Sequence, residues 1–266
     1  MDSCSNIRDR GLYVATPMYG GQCYAGFADS LTKLALLCGS NNIKIHTDFI
    51  TNCSLIPLAR NVLVDRFLKT DFEHLLFWDA DVSISPVDVL SLMNIQSIDE
   101  CFSIIGASYP VKGIRWDVIE AAVKSGISSD QLPLYQAGFP FNSFKDVEIK
   151  TDFNLPLQVK NIATGMMMIR RDALKKYAKH YPDKKFASMP NGEKDTTAYF
   201  ECGLNSENSC FYPEDYLFCD NARAAGLSIW LCPWMRLKHT GTHVFEGNME
   251  KISELGFDAN NWRVFN

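Results

Sequence analysis

The stretch HLLFWDADVSISP, residues 74–86, closes an apolar run with two carboxylates, Asp79 and Asp81. Leu75, Leu76, Phe77 and Trp78 read as a short buried strand, so the aspartates emerge where a parallel sheet opens into a ligand crevice. In an extended segment residues i and i+2 point the same way, and Asp79 and Asp81 are expected to converge on one ligand while Ala80 faces away. Oxygen donors of this kind suit Mg²⁺ or Mn²⁺, which take their remaining ligands from phosphates and water, so the implied partner is a diphosphate. The competing reading is that Asp81 and Ser83 open a turn and cap the next helix.

The elements that must hold these groups alternate along the first half. LYVAT (12–16) and IKIHTDFI (43–50) read as strands. Helices are expected from about Tyr24 to Cys38, with Phe27, Leu31, Leu34, Ala35 and Cys38 as a stripe, and from about Pro57, with Leu58, Val62, Leu63 and Phe67. SPVDVLSLMN follows as a helix with Ser85 as N-cap and Pro86 in its first turn, then FSIIGAS (102–108) as a strand. The segment from about 109 to 160 reads as insertion and loops around a helix at Trp116–Lys124 and a strand VEIK (147–150). KNIATGMMMIRR reads as a strand interrupted by Gly165, followed by a helix from Asp172 to about Lys179 and a polar surface loop over residues 181–210. A helix opening at Pro213-Glu214-Asp215 and the strand SIWLC (228–232) complete the pattern. The order predicts an α/β fold with a mainly parallel sheet.

With 266 residues, 47% hydrophobic and 12% aromatic, the chain can bury a substantial core. A net charge of −5, from 26 basic and 31 acidic residues, gives no basic field for nucleic acid. No apolar run is long enough to span a bilayer and MDSCSNIRDRG is not a secretion signal, so the expected location is cytoplasmic. Nine cysteines without a CxxC pair fit reduced core thiols, Cys38, Cys219 and Cys232 among them. No internal repeat is present, and a single domain over 1–266 is expected.

The strand ending LLFWDADV resembles the DxD strand of GT-A fold glycosyltransferases, which move a sugar from a nucleotide diphosphate. LYVATPMYGG resembles the strand and loop that hold base and ribose, ATGMMMIRRDAL the later strand and acceptor-side loop, YPEDYLFCDNARAAG the helix with an acidic ED motif, and LKHTGTHV the segment whose histidine completes a metal shell. The resemblance covers roughly residues 10–245. It implies a single Rossmann-like domain with a donor half at about 10–110, an acceptor half at about 111–245 and a C-terminal tail at 246–266. It further implies a UDP- or GDP-sugar donor, a carbohydrate acceptor, Asp215 as general base and Glu214 as acceptor ligand. Asp81, His239 and Asp79 would then hold the metal.

Each part also has an ordinary reading. Glu214 and Asp215 sit at a helix N-terminus, where the dipole stabilises carboxylates regardless of function. His239 offers a neutral imidazole to Mn²⁺ or is structural, and His243 stands as a weaker diphosphate contact. Thr16, Pro17 and Tyr19 can receive a nucleoside base, or form a plain strand-to-helix turn with Gly20 and Gly21. Arg60, placed away from the apolar stripe, can clamp a phosphate or the base, or be a solvated surface residue. Lys112 and Arg115 can reach the pyrophosphate or be loop charges. Gly165 admits a close approach or marks a bulge, and Met166, Met167 and Met168 are expected in the core.

Inversion is the expected outcome, with a retaining enzyme of the same fold or a non-catalytic sugar-binding relative as alternatives. A sugar nucleotidyltransferase is disfavoured because TPMYGGQCYAG carries no Lys or Arg.

Overall fold

A computed structural model describes residues 10–144, 152–187, 196–205 and 209–243. Its strands include β1 (Leu12–Met18), β2 (Ile45–Thr51), β3 (His74–Trp78), β4 (Val82–Ser83), β5 (Ile104–Gly106), β6 (Leu157–Val159), β7 (Met166–Arg170), β8 (Ile229–Leu231) and β9 (Lys238–His239). Seven of them form one sheet in the order β2-β1-β3-β7-β5-β8-β6. Five run in one direction, while β7 and β6 are reversed. This is the mainly parallel sheet, flanked by helices, that the sequence predicts.

The helices are α1 (Ala25–Ser40), α2 (Ile56–Leu68), α3 (Pro86–Ile98), α4 (Trp116–Lys124), α5 (Arg171–His180) and α6 (Glu214–Ala224). Because strand side chains alternate, Leu12, Val14, Leu76, Trp78, Met166 and Met168 face α1 and α3. Tyr13, Ala15, Leu75, Phe77, Met167 and Ile169 face α2, α5 and α6. Both faces are covered, which is why these strands read as unbroken apolar runs. Each large side chain buried here contributes about 1.5–3 kcal/mol of transfer free energy. Cys38, Cys219 and Cys232 lie in these cores as expected.

The structure corrects several details. Ser85 stands at the N-cap of α3, but its side chain makes no capping bond; its carbonyl accepts from Asp88 and Val89 instead. Leu157–Val159, inside the stretch read as loops, forms the sheet's edge strand, too short to carry a periodic signal. Within 181–210, Tyr199 and Phe200 are buried against Tyr177 and Phe218 rather than exposed on a loop. Gly165 lies just before β7 rather than inside it. The predicted strand at 147–150 and the tail at 246–266 fall outside the described residues. Among the described residues no helix is long and apolar enough to cross a membrane.

Candidate active site

The carboxyl ends of β1 and β3 and the N-terminus of α6 enclose a cavity of about 460 Å³. Its lining includes Pro17, Tyr19, Arg60, Asp79, Asp81, Glu214 and Asp215. A crevice at this end of a sheet is the usual ligand position in such folds.

The two aspartates do not share a partner. Val82 N–H donates to the Asp79 carbonyl at 3.1 Å, so the segment turns at Ala80 and Asp81 instead of running extended. The same-side expectation fails for that reason, and Ala80 lines the cavity with its neighbours. Trp78 Nε1 donates to the Val82 carbonyl at 2.8 Å and ties the turn down.

Asp79 turns toward Arg60, whose Nη2 lies 3.2 Å from Asp79 Oδ1 and whose Nε lies 3.2 Å from Glu214 Oε1. Arg60 is 4% exposed, the reverse of a solvated surface residue. The buried face of α2 runs through Arg60, Leu63, Val64 and Phe67, at helical i, i+3, i+4 and i+7 spacing, so the stripe expected from Leu58 and Val62 is rotated. Arg60 also stacks over Phe77, with Cζ 5.2 Å from the ring centroid. Its Nη1 is buried and has no hydrogen-bond partner among the described residues.

Asp81 faces the other way. Its Oδ2 accepts from Lys112 Nζ at 2.5 Å and lies 3.4 Å from His239 Nε2. The strand pair β4–β9 sets His239 opposite Val82, and Thr240 N–H donates to the Asp81 carbonyl at 2.8 Å. His239 Nδ1 lies 2.8 Å from the Pro110 carbonyl. A carbonyl only accepts, so Nδ1 carries a hydrogen, and Nε2 is the ring nitrogen turned toward Asp81. A backbone acceptor on one nitrogen, freeing the other, is the arrangement of a metal-ligating histidine.

Among the described residues no three His, Cys, Asp or Glu side chains gather around one point. The chain therefore offers a divalent cation two donors, Asp81 and His239, and a diphosphate and water would complete the shell. That donor set fits Mn²⁺ or Mg²⁺. The ammonium of Lys112 now neutralises Asp81, and Gly241 seats its stem, since a Cβ there would lie 2.7 Å from Lys112 Cδ.

Asp215, in the first turn of α6, accepts from its neighbour's Tyr216 N–H at 2.8 Å. Burial, and then the Glu214 carboxylate, push its pKa up to about 6.

The remaining expected residues are placed variously. Tyr19 is 67% exposed at the rim with Pro17, whereas Thr16 is buried, its Oγ1 unpartnered among the described residues. Gly165 meets the Tyr109 ring, to which a Cβ would come within 2.6 Å, and Tyr109 in turn packs edge-on against His239. His243 is exposed beyond β9 and outside the cavity lining. Arg115 is engaged by Asp117 at 2.5 Å on the surface. Gln22, Tyr24, Ile56, Tyr109 and Thr164 also line the cavity; only the position of Tyr109, just past a strand end, could have marked it in the sequence.

No family model and no curated protein matches the chain. Among solved structures it is similar to A197 from STIV, at 15% identity and TM-score 0.49 over 88% of this chain and 86% of that one. It is similar to GalNAc-T7 with UDP, GalNAc and Mn²⁺, at 10% identity and TM-score 0.48 over 88% of this chain and 43% of that one. TarS 1-349 from S. aureus in complex with UDP-GlcNAc gives 16% identity and TM-score 0.42 over 88% and 60%. These are likenesses of overall chain course; the chain's mixed α/β fold stands on its own strand order, and its crevice on its own side chains.

Proposed function

We propose that the protein is a metal-dependent glycosyltransferase that moves a sugar from a nucleotide diphosphate to an acceptor hydroxyl with inversion. The observation that carries this reading is one cavity lined by both Asp81, backed by His239, and Asp215, a carboxyl poised to exchange a proton near neutral pH. Residues of about 10–110, joined by Lys112 and His239, form the donor side, and the rest of about 111–245 the acceptor side.

Asp81 and His239 would hold the cation, which would supply positive charge to the departing diphosphate. Lys112, within reach of the same carboxylate, adds a second positive charge on that side. Tyr19 offers the base an exposed ring at the rim. At the other end Asp215, ionised above pH of about 6, takes the proton of the acceptor hydroxyl as its oxygen bonds to the anomeric carbon. The bond from that carbon to the phosphate oxygen breaks, and its electron pair leaves with the diphosphate. Glu214 keeps Arg60 neutralised beneath the acceptor side.

The test is release of free nucleotide diphosphate from a panel of UDP- and GDP-sugars with Mn²⁺ and candidate acceptors. Turnover that falls by about 10²–10⁴ in Asp215→Asn supports the assignment. Binding of the donor without turnover in the wild type, across the panel, would make the protein a binder instead.

A further inference from the structure

Residues 111–139 carry a surface that the proposed sugar transfer, on which this inference rests, does not use. α4 is amphipathic, with Trp116, Ile119 and Val123 in one stripe at i, i+3 and i+7, yet Ala122 is its one buried residue. Trp116 is 69% exposed and Val123 53%. Beside α4, Tyr135 is 37% and Phe139 51% exposed. Arg115 N–H donates to the Gln136 carbonyl at 2.8 Å and Val111 N–H to the Gly138 carbonyl at 2.9 Å. Tyr135 and Phe139 therefore ride on a stretch bonded to the one that leads into Trp116.

The same stretch is fastened to the metal end of the crevice. The Pro110 carbonyl lies 2.8 Å from His239 Nδ1, and Lys112 Nζ donates to Asp81 Oδ2 at 2.5 Å. Four residues of chain reach at most about 14 Å, so Trp116 stands within that distance of Lys112. An acceptor of several linked sugars, with its terminal hydroxyl in the crevice, extends over surface at this range.

The charges narrow what covers the surface. Lys112, Arg115 and Lys124 balance Asp117, Glu120 and Asp130, and the pairs Arg115–Asp117 and Lys124–Glu120 each close at 2.5 Å. No net field remains to draw a charged polymer. A second copy of the chain would have to bury those ion pairs along with the rings, a desolvation cost that their attraction does not repay. A neutral glycan leaves them in water. Each of its units lays the apolar C–H face of a sugar ring on an aromatic ring and keeps its hydroxyls at the wet edge, a match suited to exposed Trp and Tyr.

We infer that Trp116, Tyr135 and Phe139 form a platform for the acceptor, and that this acceptor is an uncharged oligosaccharide rather than a single sugar or a charged polymer.

Isothermal titration without metal or nucleotide tests this on four uncharged probes: maltohexaose, cellohexaose, mannohexaose and chitohexaose. At least one is expected to bind the wild type with a Kd of about 1 mM or below, and its monosaccharide at least about tenfold more weakly. Trp116→Ala and Phe139→Ala should each weaken the hexaose about five- to tenfold, whereas Trp116→Tyr, which keeps a ring, should stay within about twofold. No binding of any hexaose by the wild type overturns the platform, and so does binding that both alanine variants leave unchanged. Sedimentation of the same proteins addresses the other occupant: a wild-type dimer that Trp116→Ala turns into a monomer assigns the face to a second copy and overturns the glycan. Failure of the transferase reading is seen separately. Ring-dependent hexaose affinity in a protein that turns over no nucleotide sugar upholds the glycan surface and removes the transfer.

Discussion

Asp79 and Asp81 are two residues apart yet serve separate partners, because a turn at Ala80 sends one carboxylate to Arg60 and the other to Lys112 and His239. Lys112 competes with a metal for Asp81. It must leave Asp81 when a divalent cation arrives, so Lys112→Met should tighten Mn²⁺ binding in the absence of nucleotide by about two- to fivefold, the size of a partly exposed ion pair. Electron paramagnetic resonance of free Mn²⁺ reads this directly, and weaker binding in the variant would show that Lys112 is not competing. Asp215 governs the pH profile. With its pKa near 6, kcat/KM should rise with pH through about that value and then level off, and the rising limb should vanish from the residual activity of Asp215→Asn.

Among the elements, those with strong periodicity were legible in the sequence and those built by distant pairing were not. Trp116–Lys124 and the apolar strands at 74–78 and 166–170 came from local spacing alone. The β4–β9 pair that brings His239 to Asp81 is two residues long on each side, and no local signal announces it. The burial of Arg60 was not legible for a related reason. A charged residue on a helix is placed on the solvent side unless its partners are known, and both of these, Asp79 and Glu214, come from other segments. Gly165 joins two elements by admitting the Tyr109 ring, which packs 5.0 Å from the His239 ring. Gly165→Ala should therefore destabilise the fold by about 1–3 kcal/mol through overpacking. It should also weaken Mn²⁺ binding by displacing His239. Urea unfolding and metal titration measure the two effects, and unchanged metal affinity would uncouple Tyr109 from the histidine.

Across the whole molecule, one buried group and one half-buried group give opposing pH dependences of stability. His74, in the core at the start of β3, lies with Nδ1 2.7 Å from Gln96 Oε1. Gln96 Nε2 is committed to the Ser103 and Met168 carbonyls, so Oε1 accepts and His74 Nδ1 donates. Burial lowers the His74 pKa from 6.5 to about 4. The unfolded chain takes up this proton first, so the contribution is intact above pH 6.5 and falls by up to about 3 kcal/mol as the pH drops toward 4. Asp215 has the opposite sign. Its pKa is raised from 3.8 to about 6, so its contribution is present at low pH and is lost as the pH rises through that interval. The slopes oppose one another in the wild type. Asp215→Asn should remove one of them, raising stability at neutral pH by about 1–3 kcal/mol and steepening the loss on acidification. Denaturant melts across the pH range check both, and a variant with the wild-type slope would exclude Asp215 as a group titrating above the usual carboxylate range.

The measurement that bears most directly on the central claim is the thermal stability of the wild type and Asp81→Ala with UDP, GDP and their sugars, each with and without Mn²⁺. A nucleotide diphosphate at about 100 times its Kd adds about 2.7 kcal/mol. For a chain of this size that is a rise in Tm of roughly 5–10 °C. Such a rise is expected for one nucleotide in the wild type with Mn²⁺, reduced without the metal and lost in Asp81→Ala. A nucleotide shift of equal size without metal and in Asp81→Ala, or no shift with any of the nucleotides, would contradict it.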